Sequence, residues 1–168
     1  MIKKMSESYT VKSAIVFPSD TNSHHTIFGG KLLAYIDDVA AITARRHCRS
    51  NVVTASIDSM DFLAPIDLGE VVMLEGVITG TGRSSMEVMV KVSKESLTED
   101  SKPILTGFCF ITFVALDDNG KSKPVPGIEC DSEALQFLID SASKRVERRK
   151  ARLEHTKELS EYIAKDLF

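Results

Sequence analysis

Gly29-Gly30-Lys31-Leu32-Leu33-Ala34-Tyr35-Ile36-Asp37-Asp38-Val39-Ala40-Ala41-Ile42-Thr43-Ala44-Arg45-Arg46-His47 is the stretch that decides the fold. From Lys31 to about His47 it is rich in Leu, Ala and Ile, with no Pro and no further Gly, and it predicts a helix. The segment is apolar on nearly every face, which predicts a helix enclosed by other structure. On either side of it the pattern changes. Tyr9 to Phe17 predicts a short strand stopped by Pro18, and the polar run from Pro18 to His25 predicts a loop. Asn51 to Leu63, Glu70 to Thr81, Ser84 to Ser96 and Lys102 to Asp117 are long β-rich runs. The turn residues between them are Pro65-Ile66-Asp67-Leu68-Gly69, Thr81-Gly82-Arg83 and Thr98-Glu99-Asp100-Ser101. Short joins favour antiparallel pairing. Strands of about twelve residues, at ~3.3 Å each, must curl. One apolar helix and one long curled sheet predict an α+β fold in which the sheet wraps the helix.

Composition narrows the class. The chain has 168 residues, with 43% apolar and 27% charged side chains, so it has the size and balance of one globular domain. A net charge of −3 argues against a nucleic-acid binder, whose domain usually carries a positive excess. The opening residues carry no secretory stretch, and the uncharged run Ile104 to Leu116 is too short to span a bilayer as a helix. Cys48, Cys109 and Cys130 are odd in number and widely spaced, which predicts reduced thiols and no metal framework. A cytoplasmic protein that binds neither nucleic acid nor membrane is expected. After Pro124-Val125-Pro126-Gly127 the composition shifts. Residues 131–168 predict a helical extension of the domain formed by residues 1–130, started by Asp131 or Ser132. Between Lys144 and Arg152 stand six basic residues and one acid, Glu147. They read as a solvated helix face or, alternatively, as a phosphate-facing patch or oligomer arm.

Three features carry potential chemistry. At helical spacing Asp37 shares a face with Gly30, Leu33, Ala34, Ala40, Ala41 and Ala44, a carboxylate on a stripe of small apolar residues. Asp38 lies about 100° round the helix, on the side of Lys31 and Arg45. A buried Asp37 would be a stronger base, or else be bonded by strand amides or an Arg. Asn22 either closes an Asx turn or presents its carboxamide to a water or a carbonyl. Gly29-Gly30 lies at the helix N-terminus, where free N–H groups and the dipole favour negative charge. Carboxylate, amide and helix N-terminus together form a minimal set for water attack on an acyl carbon. Gly82-Arg83-Ser84-Ser85 is a turn suited to phosphate, or simply a hairpin. His24 and His25 are adjacent and His47 and His155 isolated, so no zinc spacing is present.

In order along the chain, Pro18-Ser19-Asp20-Thr21-Asn22, Phe28-Gly29-Gly30 leading to Ile36-Asp37, Ala44-Arg45-Arg46-His47-Cys48, Val53-Thr54-Ala55-Ser56 through Asp61-Phe62, Gly82-Arg83-Ser84-Ser85-Met86 and Phe110-Ile111-Thr112-Phe113-Val114 resemble the hotdog-fold cytosolic acyl-CoA thioesterases. That group includes the mammalian brain-type enzyme and single-domain bacterial relatives. The resemblance covers about residues 9 to 128. It implies a hotdog fold, dimers with a continuous sheet assembled as a trimer of dimers (a homohexamer), and active sites at the dimer interface. It implies hydrolysis of acyl-CoA to free fatty acid and coenzyme A, without a cofactor. By resemblance Asp37 matches the catalytic acid, acting as base or nucleophile, and Asn22 the asparagine opposite it. The Gly30 N–H would hold the oxyanion and Arg83, Ser84 and Ser85 the coenzyme A phosphates. Thr54 and Ser56 fall on one strand face and either support the site or are structural. Near His24-His25 the family often has Gly or Asn, where this chain is bulkier. Three alternatives stand beside the thioesterase. A hotdog dehydratase would need a catalytic His beside Asp37. The others are a sensing module for acyl-CoA or a nucleotide without turnover, and a purely structural oligomer.

Overall fold

Leu32, Ile36, Val39, Ala40, Thr43, Ala44 and His47 are the residues of helix α1 (Gly29–Cys48) that the computed structural model buries. They recur at three- and four-residue steps, so one face of the helix enters the core. The opposite face stays open, with Ala34, Asp38, Ile42, Arg45 and Arg46 exposed. The expected enclosure on all sides is therefore not met: the sheet covers one face of the helix and leaves the other uncovered. The structure describes residues 1–98, 100 and 102–165. Glu99 and Ser101 of the predicted turn, and residues 166–168 of the predicted tail, lie outside the described residues.

The sheet that covers α1 consists of β2 (Thr10–Ile15), β3 (Asn51–Ile57), β4 (Val71–Thr81), β5 (Ser85–Glu95) and β6 (Ile104–Leu116). They lie in the order β2-β4-β5-β6-β3 and pair antiparallel throughout. Register shifts at Thr54/Ser56, Ile78/Gly80 and Val92/Ser93 each bend a strand, and together they curl the sheet round the helix as the hotdog expectation requires. Helix and sheet meet closely at Gly76 of β4. A Cβ there would stand 2.6 Å from Thr43 Oγ1 and 2.9 Å from Val39 Cγ1. The core joins α1 to Leu74, Ile78, Met86, Val88, Ile111 and Phe113 of the sheet.

β3 is shorter than its predicted run. Pairing with β6 ends at Ile57↔Ile111, and the chain then continues irregularly along β6. Asp58 N–H donates to Phe110 O at 2.9 Å and Leu63 N–H to Thr106 O at 2.8 Å. Gly107 makes this path possible, since a Cβ there would come 2.8 Å from Asp61 O. Two short strands escape sequence patterning, β1 (Ile2–Lys4) and β7 (Gly127–Glu129), which pair parallel to each other.

Compact units form at Met1–Asp131 and from Ser132 onward. In the second, the predicted single helix is two, α2 (Glu133–Asp140) and α3 (Ala142–Ile163). Ser141 marks the break: its Oγ donates to Phe137 O at 2.6 Å and accepts from Arg145 Nη1 at 2.7 Å. Ser132 occupies the N-cap position of α2, whereas Asp131 accepts hydrogen bonds from Ser6 N–H and Oγ. No described residue of α3 is buried, so its basic run lies on an exposed helix within that unit.

Candidate active site

Asp37 stands midway along α1 on the flank that faces β3, and it is half-buried. The small-residue stripe that carries it is buried at Ala40 and Ala44 but exposed at Ala34 and Gly30. Within one chain the carboxylate is thus less enclosed than the stripe suggests, and its open side runs toward the helix N-terminus. Its partner is Thr54 of β3, whose Oγ1 donates to Asp37 Oδ1 at 3.0 Å. No Arg locks it. Asp38 points to solvent and pairs with Lys12 at 2.9 Å, a partner on β2 where Lys31 or Arg45 was expected.

Thr54 and Ser56 do not share a strand face, contrary to the alternation of their sequence. Thr54 pairs with Phe113 and Ser56 with Thr112, because Ala55 is the extra residue of a bulge. Phe113 and Thr112 are adjacent on β6 and point to opposite faces, so their partners do too. Thr54 therefore faces α1 with Phe113 and Met86. Ser56 turns away and donates to Asp58 Oδ1 at 3.1 Å.

Asn22 closes a compact loop. Its Oδ1 accepts from His24 N–H at 2.8 Å and its Nδ2 donates to Thr26 Oγ1 at 3.0 Å. His25 adopts a φ of 61°, in the left-handed region that Gly and Asn enter most readily. Asp20, which sequence reading passed over, ties this loop to α1. Its carboxylate accepts from Phe17 N–H at 3.1 Å and pairs with Lys31 Nζ at 3.2 Å, and its carbonyl accepts from Phe28 N–H at 2.8 Å. The Phe17 amide and then the Lys31 ammonium hold its carboxyl below the usual range. Its signal was an acid three residues after an extended Phe and before the helix. Among the described residues no hydrogen bond joins Asn22 to Asp37.

Gly29 and Gly30 form the first turn of α1. The first intrahelical bond is Leu32 N–H to Phe28 O at 3.1 Å, and no side chain caps the turn, so the preceding N–H groups have no helical partner. Arg83, Ser84 and Ser85 lie in the β4–β5 turn, closed by Gly82 N–H to Ser85 O at 2.8 Å. Arg83 is exposed, with Ser84 and Ser85 half-buried. Ser85 pairs with Val114, which also pairs with Val53, so this turn sits two strand spacings, about 10 Å, from the β3 row that holds Thr54.

A cavity of about 540 Å³ opens elsewhere, lined by Arg45, Arg49, Lys123, Asp117 and Asp118 among others. It lies beyond the C-terminal end of α1, and a twenty-residue helix spans about 30 Å, so it is remote from Gly29-Gly30 and holds none of the expected site residues. The carboxylate on the helix flank, not this cleft, has the groups that acyl chemistry needs. Among the described residues no cluster of His, Cys, Asp or Glu is arranged to hold a metal, and no helix is long and apolar enough to cross a membrane.

The profile of the Thioesterase superfamily matches residues 24–100. An uncharacterized acyl-CoA thioester hydrolase of Bacillus subtilis is 49% identical over 160 residues, covering 95% of this chain and 92% of that one. The chain belongs to the hotdog acyl-CoA thioester hydrolase family. The human cytosolic acyl coenzyme A thioester hydrolase is 36% identical over 148 residues, 86% of this chain but 39% of its own length. Among solved structures of the family, an acyl-CoA hydrolase from Staphylococcus aureus, determined with butyryl coenzyme A, coenzyme A and coenzyme A disulfide, has a TM-score of 0.94. It is 47% identical, with 98% of this chain and 100% of that one covered. Alanine variants of that enzyme at an aspartate, an asparagine and a threonine have also been solved. A hexameric acyl-CoA thioesterase has a TM-score of 0.87 at 46% identity, with 91% of this chain and 98% of that one covered.

Proposed function

We propose that this protein hydrolyses acyl-CoA thioesters to free fatty acid and coenzyme A, at sites completed across a subunit seam. The observation that carries the reading is the half-buried Asp37 carboxylate, held by Thr54 on the edge strand and open toward the free N–H groups of the α1 N-terminus. In the Staphylococcus aureus enzyme the substituted asparagine, aspartate and threonine follow one another at the separations of Asn22, Asp37 and Thr54 here; the last two are 17 residues apart in both.

The chemistry follows from these groups. Thr54 fixes one carboxylate oxygen, leaving the other to take a proton from water as its oxygen attacks the thioester carbon. Direct attack by the carboxylate, followed by hydrolysis of the anhydride, uses the same geometry. The N–H of Gly30 stabilises the oxyanion, the C–S bond breaks, and the sulfur of coenzyme A leaves and is protonated. Asn22 from the facing subunit orients the water or the carbonyl. Arg83, Ser84 and Ser85 bind phosphate oxygens of coenzyme A. No cofactor beyond the substrate's own coenzyme A enters.

The assembly is a homodimer built through β3, three dimers forming a hexamer. β3 ends the strand order and exposes Val53 and Ile57, an apolar edge of the kind that pairs with another chain. The hexameric relative supports a hexamer, and the cytosolic human relative supports a cytoplasmic location; the fatty acid released would place the reaction in fatty acid metabolism.

The experiment is turnover of an acyl-CoA panel with a free-thiol reagent. Thiol release by the native chain, and its loss in a folded Asp37→Ala variant, is expected. A folded Asp37→Ala variant with full rate would remove the mechanism, and tight coenzyme A binding without release from any chain length would make the protein a sensor.

A further inference from the structure

Two aromatic rings flank the double glycine. Phe28 holds the N-cap position of α1, its N–H given to Asp20 O at 2.8 Å and its carbonyl accepting from Leu32 N–H at 3.1 Å. With the backbone fixed at both ends, the ring lies over Gly30, where a Cβ would come 2.5 Å from Phe28 Cε1 and 3.1 Å from its Cζ. Phe62 reaches the same turn from the irregular segment after β3. Its Cζ stands 3.6 Å from where a Cβ of Gly29 would be. A Cβ at 30 would displace the Phe28 ring, whereas one at 29 would meet Phe62 only at ordinary van der Waals distance, so both rings pack on the same turn.

Both rings remain largely in water. Phe28 is 58% exposed and Phe62 56%, and neither belongs to the core cluster. Rings so exposed add little to folding. A lone exposed apolar side chain is ordinary, but two directed at one backbone turn form a surface with a shape. The chemistry proposed above decides what fits it. A carbonyl carbon carries its oxygen at ~1.2 Å and its chain carbon at ~1.5 Å, so an oxygen held by the Gly30 N–H forces the first chain carbons against whatever flanks that turn.

We infer that Phe28 and Phe62 are the two walls of the acyl-chain entrance and set the preference for chains long enough to run between them. The inference rests on the thioesterase reading and names its specificity determinants. The rings gain nothing from an acetyl group and cover successive methylenes of a longer chain, so discrimination grows with chain length.

The test is kcat/KM on acetyl-, butyryl-, octanoyl- and dodecanoyl-CoA for the native chain, Phe28→Ala, Phe62→Ala and Phe62→Leu. The octanoyl-to-acetyl ratio falls about tenfold in each alanine variant, and less in Phe62→Leu, which keeps an apolar wall. A ratio within about twofold of native in both alanine variants overturns the inference while leaving the activity intact. Equal losses for every chain length, with a smaller assembly by gel filtration, assign the rings to a subunit contact and also overturn it. Absence of turnover by the native chain overturns the thioesterase reading itself, an outcome distinct from the other two. Phe62 lies outside the helix cap, so Phe62→Ala carries the test even where Phe28→Ala weakens α1.

Discussion

Thr54 Oγ1 donates to Asp37 Oδ1 at 3.0 Å, joining the edge strand of the sheet to the open flank of the helix. The bond ties the orientation of the proposed base to the strand through which subunits are proposed to pair. A hydrogen bond to a charged group is worth about 1.5–3 kcal/mol. Thr54→Val, which keeps shape and removes the donor, is therefore expected to lower kcat by roughly tenfold or more with a smaller change in KM. Thr54→Ser should recover most of the loss. Steady-state kinetics on folded variants provide the check, and a Thr54→Val enzyme with native kcat would show the hydroxyl to be dispensable.

Asn22 spends its side chain on Thr26 and His24 within its own chain, and no bond connects it to Asp37 among the described residues. If each site takes Asp37 from one subunit and Asn22 from the other, two dead variants can repair each other. Asn22→Ala and Asp37→Ala are each expected to be nearly inactive alone. Mixed at equal amounts with subunit exchange, half the dimers are hybrids with one intact site of two, giving about a quarter of native activity. Mixtures no more active than their parents would place both residues in one chain's site.

The degree to which this architecture could be read from sequence follows from the range of the forces involved. α1 was legible because an unbroken run rich in Leu, Ala and Ile is a local signal, whereas which of its faces is buried, Leu32 through His47, is set by the sheet. Asp37 was legible because a carboxylate breaks the pattern of that stripe. The bulge at Ala55 was not, since Val53-Thr54-Ala55-Ser56 alternates like any strand and the extra residue is defined only by pairing with β6. Nor was the β1–β7 pair, three residues on each side joined over the length of the first unit. Nor is the partner of Asn22 a property of one chain's sequence, because a facing subunit is proposed to supply it. The role of Phe62 depended on a turnless stretch of backbone crossing Gly107, which no local pattern records.

Gly76 marks a close approach of helix to sheet. A Cβ there would meet Thr43 Oγ1 at 2.6 Å and Val39 Cγ1 at 2.9 Å, both side chains of the core-facing helix. Overpacking of this kind costs about 1–3 kcal/mol. Gly76→Ala is expected to lower the urea midpoint by the corresponding amount. Adding Thr43→Ala removes the nearer clash, so the double variant should lose less than the two single changes summed. Additive losses in urea titrations would show that the helix shifts without cost.

His47 gives the fold a pH dependence of defined sign. Its ring is buried, with Nε2 2.9 Å from Pro126 O, an acceptor, so Nε2 carries the proton; Nδ1 is buried without a partner among the described residues. The neutral ring fits this setting, whereas a second proton would place an N–H where nothing accepts it. Burial first, and then the Lys3 ammonium, hold the imidazole below its ordinary value, against the opposing pull of the Pro126 carbonyl and Glu7. Lys3 Nζ donates to His47 O at 2.7 Å, so the cation is fixed nearby. In the unfolded chain the ring binds a proton near pH 6.5, before the folded chain does. The unfolded state therefore holds more protons as pH falls below that value, and stability, complete above about 6.5, declines on the acid side. Asp20, Glu75 and Asp131 are held low by their partners and lose their contribution only in the more acidic carboxylate range, so the two windows separate. Urea midpoints at pH 8, 7, 6 and 5 should fall for the native chain below about 6.5 and fall less for His47→Gln, which keeps a donor for Pro126 without the titration. A native midpoint that stays level from pH 7 to 5 would mean that the ring takes up its proton as readily in the folded protein as in the unfolded chain.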